Sequence, residues 1–314
     1  MTDPVRSAAA SVPESTRESA TKDVASIPSN YSRLIAQELG LHTKGLPALL
    51  VGTGLGRTQF LQEERLISGQ QQIRILENAL QLTENEGFGL SLGKRLTPLT
   101  HGMMGFMANS SQDLYTAVQA ISLFVPTRMN FAGLELSERN GLLEGRLRLD
   151  IQMSDAVRRC LAETFARMFF AIAEFIVGRP LVEAEVFFEY AEPRYGDDYR
   201  TYLPGSLNFH AENLMFRVPM AVCRKPNVSA NHENYQLALA QCETMLEQLQ
   251  RQTLDYQTRV KKLMLSRPPG TLDEEGAAAA FFLVSAPWHV SLTGRTLRLN
   301  KYEMASCRSR QRPI

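Results

Sequence analysis

Few residues in this chain offer chemistry in a readable pattern, and the first of them is His101, set between Thr100 and Gly102. An imidazole there has two readings: it meets a ligand carboxylate or a haem, or it is a capping or core histidine. Arg128, Arg158 and Arg159 lie near apolar runs. A guanidinium matches a carboxylate in two-pronged fashion, so these arginines either hold an anionic effector or form surface ion pairs. Gly52, Gly54 and Gly56 in Val-Gly-Thr-Gly-Leu-Gly-Arg-Thr look like a phosphate-cradling loop, yet no strand clearly precedes them and the Gly-Lys-Ser/Thr ending is absent. The alternative is a flexible connection between two helices in which glycine supplies positive φ. Phe165, Phe169, Phe170 and Phe175 recur at helical spacing, mostly as core, with Phe170 the candidate to line a pocket.

No catalytic residue emerges. The chain has no His-Glu-x-x-His and no carboxylate pair in a readable placement, so an enzyme is the least supported class. Cys160, Cys223, Cys242 and Cys307 show neither CxxC spacing nor nearby paired histidines. That argues against a zinc site and a disulfide framework and fits a reducing cytoplasm, with no metal and no cofactor expected. The 34 basic and 33 acidic residues leave a formal charge of +1, so no overall field draws the chain to nucleic acid or an anionic membrane. Arg295, Arg298, Lys301, Arg308, Arg310 and Arg312 do make the C-terminus basic. The apolar run at 165–177 is interrupted by Arg167 and Glu174, so no bilayer span is expected.

The elements that must position these residues read as α+β. At 314 residues with 44% apolar content, the chain has room for two domains. Residues 1–27, rich in Ser, Ala, Thr and charge, read as a disordered tail and not a signal peptide. Helices are expected at 31–39, 46–51, 68–82 (capped by Ser68), 88–95, 101–107 and 112–123 (capped by Ser111). The period then changes. Segments 131–138 and 142–150 alternate around Asn140-Gly141, the strongest short hairpin signal, and Ser154 opens a long helix that ends at Gly178. Strands follow at 182–190, 206–210 and 214–218, giving a mostly antiparallel sheet that carries the long helix. From 231 to 265 runs one long helical pattern with Leu237, Leu239, Cys242, Met245, Leu246 and Leu249 near heptad spacing. Leu239, Leu246 and Leu249 are the candidates for dimerisation. Arg267-Pro268-Pro269-Gly270 stops it, and Thr271 to Glu274 has capping-box spacing for another helix into Ala280.

The order of blocks resembles a known family. Leu46 to Leu55, Ile67 with Gln71-Gln72-Ile73, Gly87-Phe88-Gly89-Leu90 with Gly93, and His101-Gly102-Met103-Met104-Gly105-Phe106 with Ser110 and Leu114 are similar to the N-terminal ligand-binding domain of bacterial AraC-type transcriptional regulators. The likeness continues through Tyr202, Phe209, Asn213 and Phe216 to Gln241-Cys242-Glu243, and Lys262-Leu263-Met264-Leu265 with Pro269-Gly270 looks like the opening of the family's DNA-binding domain. The resemblance implies a cytoplasmic, dimeric sensor of a small-molecule effector at 28–252 that switches a promoter. It also implies a helix-turn-helix remnant at 253–280.

Residues 281–314 break the pattern, because Pro287, Trp288, His289 and Gly294 interrupt any amphipathic helix and too little chain is left for a second helix-turn-helix unit. Rereading the codons from each third position lets Trp288-His289-Val290 become Leu-Ala-Arg. It also lets Gly294 to Met304 become Arg-Glu-Asp-Thr-Ser-Phe-Glu-Gln-Ile-Arg-Asp, similar to the family's segment after the first recognition helix. The expectation is a frameshift near Ala280, an accidental basic tail and defective specific DNA binding. The alternative role is a non-DNA-binding dimerisation partner that poisons a full-length regulator.

Overall fold

The structure, a computed structural model, describes residues 24–63 and 65–265. The expected tail up to residue 23, the helix at 271–280 and the segment 281–314 lie outside the described residues. Ile27, which the sequence assigns to the tail, is instead fully buried and pairs with Ile67 in a ribbon of β1 (Ile27–Pro28) and β2 (Leu66–Ile67).

Helices come first. Between the ribbon strands lie α1 (Asn30–Glu38), α2 (Leu46–Leu49) with Pro47 in its first turn, and α3 (Arg57–Phe60). The glycine-rich stretch joins α2 to α3 with positive φ at Gly52 and Gly54, as the connecting-loop reading requires. It is held in place by Asn78, whose amide donates to the Leu49 and Val51 carbonyls at 2.8 Å. Asn78 belongs to α4 (Gly69–Leu82), where Ser68 and Gln71 form a reciprocal capping box. Next come α5 (Phe88–Arg95), a 3-10 turn (Pro98–His101), α6 (Met103–Ser110) and α7 (Leu114–Phe124). The cap of α7 is Asp113, whose carboxylate accepts from the Thr116 amide at 2.7 Å. The expected cap, Ser111, donates to the Met107 carbonyl and so serves the end of α6 instead.

After a second 3-10 turn (Val125–Thr127), β3 (Ala132–Arg139) and β4 (Leu142–Leu149) form the expected hairpin, with Asn140 and Gly141 both at positive φ. Helix α8 (Asp155–Val177) is capped by Ser154 and ends on Gly178 in the left-handed region. The chain continues through β5 (Glu185–Phe187), α9 (Gly196–Tyr202), β6 (Ser206–Asn208), β7 (Met215–Pro219) and the one-turn α10 (Met220–Cys223). The five-stranded sheet has order β3-β4-β7-β5-β6, antiparallel except between β5 and β6. The strand expected over 182–190 shrinks to three residues: Leu181 to Ala184 is a turn, and the pairing with β6 closes with the Phe188 amide on the Asn208 carbonyl.

Helix α8 belongs to two cores: Val157, Cys160 and Leu161 join the helical cluster, whereas Ala166, Phe170, Ala173 and Ile176 pack under the sheet. Gly89 and Gly93 let α5 cross it at close range, since a Cβ at Gly89 would stand 2.5 Å from the Cys160 carbonyl oxygen and one at Gly93 2.7 Å from the Arg167 Cβ. The last element, α11 (His232–Leu265), lays Ala238 and Cys242 on Met104, Met107, Ala120 and Phe124 of α6 and α7. No helix among the described residues is long and apolar enough to cross a membrane.

Candidate functional site

A buried polar cluster forms where the 3-10 turn meets α1, α4 and α8. Pro98 starts the turn, and Gly102, at φ 57° and ψ −134°, breaks it with a backbone conformation that side chains disfavour. Gly105 lets α6 press against the turn: a Cβ there would lie 1.7 Å from the Pro98 carbonyl oxygen. The two glycines thereby swing His101 inward, where it is 1% exposed. Its Nδ1 is 2.9 Å from the Tyr31 hydroxyl. Burial pushes the tyrosine pKa up, so the phenol keeps its proton and donates to Nδ1. Burial, and then the positive charge of Arg128, lower the His101 pKa to about 4, so the ring is neutral and its remaining proton sits on Nε2. That atom is fully buried and has no hydrogen-bond partner among the described residues.

Arg128 stands beside it, its guanidinium against Gly102, where an added Cβ would be 2.9 Å from an Nη. Its Nε is buried without a partner, and an Nη reaches only the Met245 sulfur of α11 at 3.8 Å, a weak acceptor. Among the described residues no carboxylate forms a salt bridge with it. With Tyr31, Gln72 and Thr164, His101 and Arg128 supply the polar lining of a cavity of about 40 Å³. Gln72 is already engaged through Oε1 by the Ser32 hydroxyl at 2.6 Å, and Thr164 donates to backbone carbonyls.

A second cavity of about 100 Å³ adjoins the first and shares Met104, Val125, Phe165 and Met168 with it. Its walls are apolar and run between α7, α8 and the sheet. Phe169 stacks on Phe216 with ring centroids 4.0 Å apart. Gly145, opposite Phe216 on the neighbouring strand, makes room for that ring, which would otherwise be 2.1 Å from a Cβ. Methionines are adaptable side chains, so Met104 and Met168 form a deformable partition between the two chambers.

The sequence candidates divide accordingly. His101 and Arg128 come together. Phe170 points the other way, fully buried near Gly205, while Phe165 and Phe169 line the apolar chamber because positions three and four apart share a helix face. Phe175 is exposed, Arg158 forms an ion pair with Glu189 at 3.8 Å, and Arg159 lies 5.8 Å over the Tyr195 ring. Leu239, Leu246 and Leu249 face inward: Leu239 and Leu246 pack on the α6–α7 cluster and Leu249 is buried. The near-heptad seam therefore docks α11 onto its own domain. Nothing local points to a site role for Tyr31, Gln72 or Met245, since Tyr31 meets His101, Gln72 meets Ser32 and Met245 meets Arg128 across long stretches of sequence.

Sequence reasoning also missed Glu163, which is 1% exposed and accepts hydrogen bonds from Tyr195 at 2.7 Å and Tyr199 at 2.6 Å. Burial raises its pKa, opposed by those two hydroxyls. Tyr190 extends the network to Tyr199 at 3.1 Å. Every hydroxyl here has a partner, so the cluster acts as a strut between α8 and α9. Among the described residues no group of three His, Cys, Asp or Glu could hold a metal.

Residues 45–227 match the family model of the arabinose-binding domain of AraC transcription regulators, N-terminal. The ornithine utilization regulator of Pseudomonas aeruginosa is 31% identical over 208 residues, 64% of this chain, and the chain spans 59% of that relative's length. The crystal structure of the transcriptional regulator CdpR from Pseudomonas aeruginosa aligns over 76% of this chain and 79% of its own, at 15% identity and a TM-score of 0.47.

Proposed function

The chain belongs to the AraC transcription regulators with an N-terminal arabinose-binding domain, and from that membership we propose that residues 28–252 are an effector-sensing domain whose small-molecule effector enters the paired cavities at His101 and Arg128. The observation that carries this reading is the buried, unpartnered Nε2 of His101 beside a guanidinium without a carboxylate. Buried polar groups normally find partners, and two that do not, side by side on one cavity, suit a ligand that supplies an acceptor. The family model is named for arabinose and the relative for ornithine utilization. The lining here favours neither, since a sugar wants many hydrogen bonds and the two ammonium groups of ornithine want acidic partners, although its carboxylate would suit Arg128. A screen of metabolites by thermal shift tests the reading: an effector should raise the melting temperature of the chain by mass action and do less for His101→Phe. If no compound shifts the wild type, or if one shifts both proteins equally, the effector does not sit here.

Homodimerisation belongs to the same proposal. It is supported by a 34-residue α11 whose inner stripe is taken up by its own domain and whose outer side leaves Leu237 exposed. Sedimentation should show a dimer that Leu237→Glu weakens; a wild-type monomer at micromolar concentration overturns this. We also propose that specific operator binding is defective, because Pro287 and Gly294 fall where a regular recognition helix is needed. The runner-up role is a dimerisation partner that disables a full-length regulator. A salt-resistant footprint on one promoter would refute the defect.

A further inference from the structure

Resting on that sensing role, we propose that the effector is a small organic monoanion, a carboxylate on an apolar ring or chain, with its charged end at Arg128 and His101 and its body between α8 and the sheet.

The division of polarity argues for this. The smaller chamber holds one cation, the neutral N–H of His101 and the Gln72 amide, with no acidic side chain among the described residues of its lining. A cation away from water is costly until an anion joins it, and a carboxylate has two oxygens to share between Arg128 and the His101 Nε2–H. Tyr31 contributes through His101, because by donating to Nδ1 it keeps the free proton on Nε2, the ring nitrogen left without a partner. Among the described residues no second cation lines either chamber, so a single negative charge is matched and a dianion is not. The larger chamber offers no hydrogen bond to a hydroxyl or amine. At about 100 Å³ it falls somewhat below the roughly 150 Å³ apolar cavity that takes up benzene, which suits a phenyl ring or a short branched chain, given two methionines that can give way. Met104 and Met168 stand where the acid's first methylene would cross between chambers.

The test is calorimetric titration of the full chain with hexanoate, octanoate and phenylacetate, each paired with its primary amide, and with phenethylamine and arabinose. At least one acid should bind, its amide should bind tenfold to a hundredfold more weakly, the range expected of a charge-assisted hydrogen bond, and phenethylamine and arabinose should not bind. Arg128→Gln should abolish the preference for acid while retaining the amide's weak binding, which shows that the variant is folded. Equal binding of acid and amide, or retention of the acid preference in Arg128→Gln, overturns the monoanion. So does silence from every acid. Binding of arabinose or phenethylamine that His101→Phe weakens overturns the monoanion yet keeps the sensing role, whereas a whole metabolite screen without a shift removes both.

Discussion

Acidification should destabilise this protein through His101, and the size of the loss follows from where the ring sits. In the unfolded chain the imidazole takes a proton below its ordinary pKa of 6.5, while in the folded protein burial and Arg128 delay protonation to about 4. The unfolded state therefore binds more protons in that window. Stability is complete above 6.5 and falls as the pH drops toward 4. Each unit of difference is worth about 1.4 kcal/mol, so the full loss is about 3 kcal/mol, of which about 2 kcal/mol is reached by pH 5. The groups facing the ring are Tyr31, whose pKa burial pushes up so that it stays protonated throughout, and the Arg128 guanidinium. The assay is urea unfolding at pH 7.5 and 5.0 of the wild type and of His101→Gln, in a buffer without carboxylate. Glu163 carries a raised pKa and so contributes the opposite slope: its stability is greatest while it is protonated and is lost as the pH rises through its folded value. It is common to both proteins and drops out of their difference. The wild type should lose about 2 kcal/mol more than the variant between the two pH values. Parallel losses in the two proteins would refute the claim that His101 is held neutral by the fold.

Three further substitutions probe the supports of the site. Gly105→Ala must part α6 from the 3-10 turn, since its Cβ would meet the Pro98 carbonyl at 1.7 Å; a loss of about 2–4 kcal/mol in urea unfolding is expected, and a change within about 0.5 kcal/mol would show that the turn yields freely. Glu163→Ala leaves the Tyr195 and Tyr199 hydroxyls without their acceptor and should cost about 2–5 kcal/mol, while Tyr199→Phe should cost about 1–2 kcal/mol; equal costs would mean that packing and not the network sets the effect. Asn227→Ala removes side-chain donors from the Asn109 and Ser111 carbonyls, both at 2.8 Å. Amide exchange in α11 should speed up ahead of the sheet, and unchanged protection there would contradict the anchoring role.

What the sequence disclosed was local. Ser68, Ser154, Gly178 and Asn140-Gly141 announce their caps and turn because each acts within four residues of itself, and the structure keeps all of them. The α7 cap went to the wrong residue because Ser111 and Asp113 are both good caps, and the choice depends on Ser111 being drawn back to Met107. The strand over 182–190 is shorter than its apolar run because Leu181 to Ala184 forms a turn before the ladder begins. His101 stood out beside Gly102, yet nothing nearby could tell that Tyr31, 70 residues away, would set its tautomer. The seam on α11 was visible, but periodicity does not say whose surface it covers, and here Ala238 and Cys242 meet Met107 and Phe124 of the same chain.

The docking of α11 has a mechanical consequence. At about 1.5 Å per residue, its 34 residues make a rod of roughly 50 Å. Asn227, hydrogen-bonded to the Asn109, Ser111 and Gln112 carbonyls at the α6–α7 corner, fixes the near end as a fulcrum. Arg128 touches the rod further along, at Met245. A rigid lever of that length converts each degree of tilt at its seat into about 0.9 Å at its tip. An adjustment of a fraction of an ångström around the guanidinium thus arrives, magnified, at whatever the far end of the helix carries.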